Sequence, residues 1–181
     1  KKHEKTRKIH FKINGFYGAP QSASSHHFFD RGPNEIGFFI ETAPTHPMLA
    51  ATAAGRFGKS AQQFMGDLSH TGFLIAIHDD GIIDGDDGGV VSLRSDGRVH
   101  IDYPIQPALQ RSFLASHEAL CELALAAGAN EVQTLHVDPV TLKSTADIPE
   151  LSNRSYRALD LGVFTAHQMG GLSMGTDPST S

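Results

Sequence analysis

The residue best placed to do chemistry is His167. The short apolar run Gly162-Val163-Phe164-Thr165-Ala166 leads into it, and the glycine-rich turn Gly170-Gly171-Leu172-Ser173-Met174-Gly175 follows. An imidazole at a strand end, beside glycines that admit close backbone approach to a flat or bulky ligand, can take a proton near neutral pH. The same spacing also fits an ordinary histidine closing a strand. Within the turn, Gly171-Leu172-Ser173-Met174-Gly175 carries the letters of a serine nucleophile elbow. That elbow needs a strand running straight into the serine and a helix after it. Here the strand runs into His167, and Asp177-Pro178 ends the segment with no helix. A hydrolase using Ser173 and His167 therefore stands as the alternative reading, beside a small ligand-binding domain without catalysis.

The other reactive side chains point elsewhere. Eleven histidines in 181 residues invite a metal reading, yet no His-Glu-x-x-His or His-x-His pair occurs. His26 and His27 are adjacent and would point apart on extended chain. His78-Asp79-Asp80 and Asp84-Gly85-Asp86-Asp87 lack the alternating oxygen ligands and closing glutamate of a calcium loop, so no metal is expected. The single cysteine, Cys121, and His117 sit on one long helical stretch and read as interior residues.

The elements that must position His167 follow from periodicity. Ile9-Phe11-Ile13 alternates as a strand in a lead-in of strand and loop, residues 1–34. Ile36 to Thr42 and Thr71 to His78 are strands, and Val90–Leu93 and Val99–Tyr103 flank Asp96-Gly97 as a hairpin. Pro47–Ala54 and Gly58–Asp67 are short helices. Pro107 to Ala127 is a long one with Leu109, Phe113, Leu120, Ala124 and Ala127 on one face and Gly128 as its stop. Glu131 to Val137 reads as a strand, Asp147 to Leu161 as a helix capped by Asp147, and 162–166 as a final strand. The pattern predicts an α+β fold, mostly antiparallel sheet flanked by helices, with residues 1–34 belonging to the same domain as 35–181.

Composition narrows the partners. Lys+Arg 15 against Asp+Glu 20 gives a formal charge of −5, which argues against nucleic acid despite the basic residues among 1–8. No apolar run has the length of a membrane span, so a soluble protein is expected, with the cytoplasm favoured. The first residue is Lys and the tail from Thr176 is polar and turn-forming, so the sequence reads as a piece of a longer chain.

Residues 166–178, Ala-His-Gln-Met-Gly-Gly-Leu-Ser-Met-Gly-Thr-Asp-Pro, resemble the C-terminal motif of the glucose–methanol–choline (GMC) flavin oxidoreductases. Phe39-Ile40-Glu41-Thr42-Ala43-Pro44-Thr45-His46-Pro47 and Gly97-Arg98-Val99-His100-Ile101-Asp102-Tyr103, with the long helix ending Ala126-Ala127-Gly128-Ala129, are similar to stretches ahead of that motif. The resemblance spans most of 35–181. It implies the substrate-binding domain of an FAD-dependent enzyme of the bacterial alcohol-oxidising type. Such an enzyme oxidises an alcohol CH–OH group, passing hydride to flavin N5 while His167 accepts the hydroxyl proton. Gly170 and Gly171 would lie near the cofactor, and Phe38, Phe39 and Phe73 are candidates to line the substrate cavity or to fill the core. The Gly-x-Gly-x-x-Gly fingerprint is absent, as is the family's second catalytic His or Asn. The FAD-binding half is therefore expected as a partner from elsewhere in the same protein. One departure bears on the substrate subclass: many relatives have Cys-Arg where this sequence has Leu172-Ser173.

Overall fold

The structure is a computed structural model that describes residues 12–18, 21, 23–81, 83–86, 88–165, 167–169 and 174–178. Helices and antiparallel sheets mix, as the α+β pattern predicts, and among the described residues the strands divide among three small sheets. β1 (Ser24–Ser25), β2 (Phe38–Thr42) and β3 (Leu74–His78) form the largest, in the order β1-β2-β3, with Phe38 opposite His78 and Thr42 opposite Leu74. β4 (Val90–Leu93) and β5 (Val99–Asp102) form a hairpin. β6 (Val132–Gln133) and β7 (Thr141–Leu142) form a short pair.

Among the described residues three α-helices connect these strands. α1 (Pro47–Ala54) and α2 (Gly58–Gly66) lie between β2 and β3. Pro47 occupies the first turn of α1, where its missing N–H costs nothing, and His46 caps it by accepting the Leu49 N–H at 3.3 Å. α3 (Pro107–Ala126) is the long helix, with Pro107 again in its first turn. Its buried stripe is Ala108, Leu109, Ser112, Phe113, Ser116 and Cys121. Leu109 and Phe113 are where the apolar face predicts them, but Ala127 is exposed, and two serines take the buried positions in between. The serines satisfy themselves: Ser112 donates to Ile36 O at 2.8 Å and Ser116 to Phe113 O at 2.9 Å. A small, hydrogen-bonded side chain lets α3 approach the sheet without stranding a polar group.

The core has two joined parts. Ile36, Ala108, Leu109, Phe113, Tyr156 and Leu161 make one, and Cys121, Val140, Leu142 and Leu151 the other, with Leu114 packed against both. Gly37 is required by close approach: a Cβ there would sit 1.9 Å from Phe29 O. In the hairpin, Arg94 N bonds Arg98 O at 2.9 Å around a three-residue loop, and Gly97 takes the left-handed position (φ +78°) that such loops need.

The C-terminal third departs most from the sequence pattern. Thr145–Asn153 is a 3₁₀ helix, not an α-helix reaching Leu161, with Pro149 inside it. Its cap is Ser144, and Asp147 completes a reciprocal capping box from the third position. The Asp147 carboxylate accepts the N–H groups of Lys143 and Ser144 at 2.8 and 2.9 Å, and these bonds hold its pKa below the usual carboxylate range. Residues 162–165 form no strand. The contact there is a bridge one residue earlier, Leu161 with His136. Among the described residues no helix is long and apolar enough to cross a membrane.

Candidate functional site

The chain reaches His167 from a well-held anchor. Val137 N–H donates to Asp160 O at 2.9 Å and Gly162 N–H to Leu135 O at 2.8 Å, so residues 160–162 are clamped beside the turn before β7. Beyond the clamp the chain is exposed: Val163, Phe164, His167, Met169 and Met174 all lie at the surface. Gln168 donates to the Thr165 hydroxyl. His167 has φ +57°, a left-handed backbone that a non-glycine residue adopts only at a cost. Gly170, Gly171 and Ser173, expected beside it, lie outside the described residues.

The three phenylalanines do not converge on one cavity. Phe38 is wholly buried, so it fills the core and cannot touch a substrate. It stacks on Phe28 at 4.9 Å, with the Arg31 guanidinium 5.7 Å from its ring centre. Phe39, the next residue of the strand, faces the other side of the sheet, as period-two alternation demands, and stacks on His26 at 5.2 Å. Phe73 lies half-buried just before β3, against Phe64. None of His167, Phe38, Phe39 or Phe73 lines the cavity of about 530 Å³ or that of about 440 Å³.

Other histidines are drawn inside. His78 Nδ1 lies 2.8 Å from Ser112 Oγ, and its ring meets Phe113 edge-on at 4.9 Å. Ser112 has one hydroxyl proton and gives it to Ile36 O, so His78 Nδ1 must carry the hydrogen of the His78–Ser112 bond. Burial first, then the neighbouring His117 and Arg31, lowers the His78 pKa to about 3. This serine–histidine pair is a structural clamp: the serine is fully buried and the imidazole cannot charge near neutral pH.

His117, His136 and Tyr156 form a ring triangle with centroids 5.0–5.3 Å apart. His117 bonds Phe113 O at 2.8 Å, and burial lowers its pKa to about 4. His136 bonds the Thr134 hydroxyl at 2.9 Å, and its pKa is also lowered, by burial and then by Arg154. Burial pushes the Cys121 thiol up to about 11, which keeps it protonated and a poor nucleophile. Among the described residues no group of three or more His, Cys, Asp or Glu side chains is placed to hold a metal ion. Sequence spacing places His117 and Cys121 inside but gives no hint of Ser112 with His78 or Thr134 with His136. The first of these contacts joins residues 34 apart in the chain.

Compared with known protein families, with curated proteins and with solved structures, the chain matches none.

Proposed function

We propose that this chain is the substrate-binding part of an FAD-dependent oxidoreductase of the GMC type, acting on the CH–OH group of an alcohol, with His167 as the base. The observation that carries this reading is the state of His167. It heads the motif at 166–178, lies exposed beyond the last clamp of the core, and holds a left-handed backbone. A costly backbone conformation at a surface histidine is the kind of outlier from which a functional role is inferred. An imidazole aligned with an alcohol hydroxyl would accept its proton and make the adjoining C–H a better hydride donor, an effect of about 10²–10⁴-fold for general-base catalysis.

His167 borders neither of the two cavities described above. In this reading the flavin, which supplies the hydride acceptor, is held mainly by a nucleotide-binding part of the protein beyond these residues. The apolar side chains left open around His167, Val163, Phe164, Met169 and Met174, are then surface for that part to cover.

The test is made on the full-length protein. His167→Ala should leave the flavin absorbance intact and slow anaerobic flavin reduction by substrate alcohol at least about 100-fold, the lower end for a lost base. Reduction at the wild-type rate overturns the role of His167, and a full-length protein without bound flavin overturns the family reading. Ester hydrolysis abolished by Ser173→Ala would put the hydrolase in its place.

A further inference from the structure

The larger cavity has a chemistry of its own that owes nothing to His167. It opens between the first turns of α3 and the chain just after the 3₁₀ helix. Arg111 lines it from α3, and Arg154 and Arg157 line it from the other side. No carboxylate is in the lining, although acids outnumber bases in the chain. The first turn of α3 also contains no acidic residue and its N-cap, Gln106, makes no side-chain cap, so the positive end of a 20-residue helix dipole is left uncompensated there.

Two of the three guanidiniums are held by partners outside the lining. Arg111 Nε donates to Glu35 Oε1 at 2.9 Å, and Arg154 Nη1 donates to Asp138 Oδ2 at 3.2 Å. A guanidinium has five N–H donors, so both keep donors for a ligand while their positions are fixed. Arg157 is exposed and makes no ion pair among the described residues.

We propose that this cavity binds a phosphorylated small molecule, with Arg111, Arg154 and Arg157 gripping the phosphate at the first turn of α3. A tetrahedral oxyanion offers oxygens in several directions and can engage guanidiniums approaching from different elements, whereas a carboxylate is filled by one fork. The depression is wide open to solvent, and its volume of about 530 Å³ leaves room for more than a bare ion beside the three arginines. Leu114 and Pro107 supply apolar wall for the rest of the molecule.

The test is calorimetric titration of the 181-residue chain with phenyl phosphate and with inorganic phosphate, at ionic strength fixed by sodium chloride. Saturable binding of phenyl phosphate is expected, tighter than that of inorganic phosphate. Arg157→Gln should weaken it at least about tenfold, the low end for a lost hydrogen bond to a charged group. Arg157 is exposed and makes no ion pair among the described residues, so this variant should melt at the wild-type temperature. Lys59→Gln, which removes a cation outside the cavity, should bind as wild type, and so should His167→Ala, which separates this site from the proposed base. Absence of saturable binding, or equal affinity in Arg157→Gln, overturns the site. Inorganic phosphate binding as tightly as the ester overturns the claim that the cavity accepts an organic group.

Discussion

Phe113 and Leu93 are both large apolar side chains on regular elements, and the fold treats them oppositely. Phe113 is 6% exposed, packed under the β2–β3 sheet with Ile36 and Leu109 beside it. Leu93 is 73% exposed, and Val91, Val99 and Ile101, which share its face of the hairpin by register, are 61–67% exposed. Both regions alternate or repeat as buried elements do. What differs is a third layer: α3 lies on β2 and β3, and no described element covers the β4–β5 face. An apolar pattern therefore states that a face is suited to burial, and a packed partner decides whether burial happens. A two-stranded ribbon alone is marginally stable in water, so the hairpin is the part of this molecule with most to gain from a covering surface.

The largest effect expected from this contrast is at Phe113. Phe113→Ala removes a buried ring and the edge contact to His78, and should cost about 3–5 kcal/mol of unfolding free energy in the 181-residue chain. Urea denaturation with a conserved m-value measures it. A loss below about 1 kcal/mol would mean that α3 is not packed on the sheet as described.

The elements bounded by strong local signals were legible before any coordinates. Prolines at the first turns mark α1 and α3, and Asp96-Gly97 marks the hairpin, because each residue fixes a backbone angle without help from distant contacts. The C-terminal third was not legible in the same way. Pro149 and the Ser144–Asp147 capping box direct Thr145–Asn153 into a 3₁₀ helix that ends early, and the chain at 162–165 finds no strand to pair with. Of the candidate site, His167 is exposed at the surface beyond the last clamp of the core. Phe38 is not, because a residue on the covered face of a central strand belongs to the core whatever its chemistry. Ser112 with His78 escaped notice because a polar stripe on a helix looks solvent-facing until the partner carbonyl, Ile36 O, is in view.

The packed half should also announce itself through pH. His78 and His117 have folded pKa values of about 3 and 4, below the ordinary 6.5, so the unfolded chain binds protons that the folded chain refuses. The stability they allow is complete above about pH 6.5 and falls as pH drops, until it levels near pH 4 for His117 and near pH 3 for His78. The slope is at most about 1.4 kcal/mol per pH unit for each residue. Asp96 and Asp147, lowered below 3.8 by their hydrogen bonds, lose their contribution only at lower pH, so the window from 6 to 4.5 belongs to the histidines. Unfolding free energies across that window should fall steeply in the wild type and less steeply in His117→Phe. Equal slopes in the two proteins would show that His117 is not held neutral by burial.

The smallest effect is expected on the hairpin. Leu93→Ala removes an apolar side chain that contacts mainly water, and should change the stability of the 181-residue chain by no more than about 0.5 kcal/mol. Amides of Val90–Leu93 and Val99–Asp102 should exchange with solvent well before those of α3, since few buried contacts oppose their opening. A cost near 2 kcal/mol in the same chain would mean that the hairpin face is already covered, and the contrast with Phe113 would fail. Under the proposed function, with a further part of the protein beside this chain, the expectation reverses. If another part of the molecule packs on Val91, Leu93, Val99 and Ile101, the substitution should cost more there than in the 181-residue chain, because the transfer of the lost methyls out of water counts only where they are buried. The difference between the two measurements, not either value alone, reports whether this face is a contact surface.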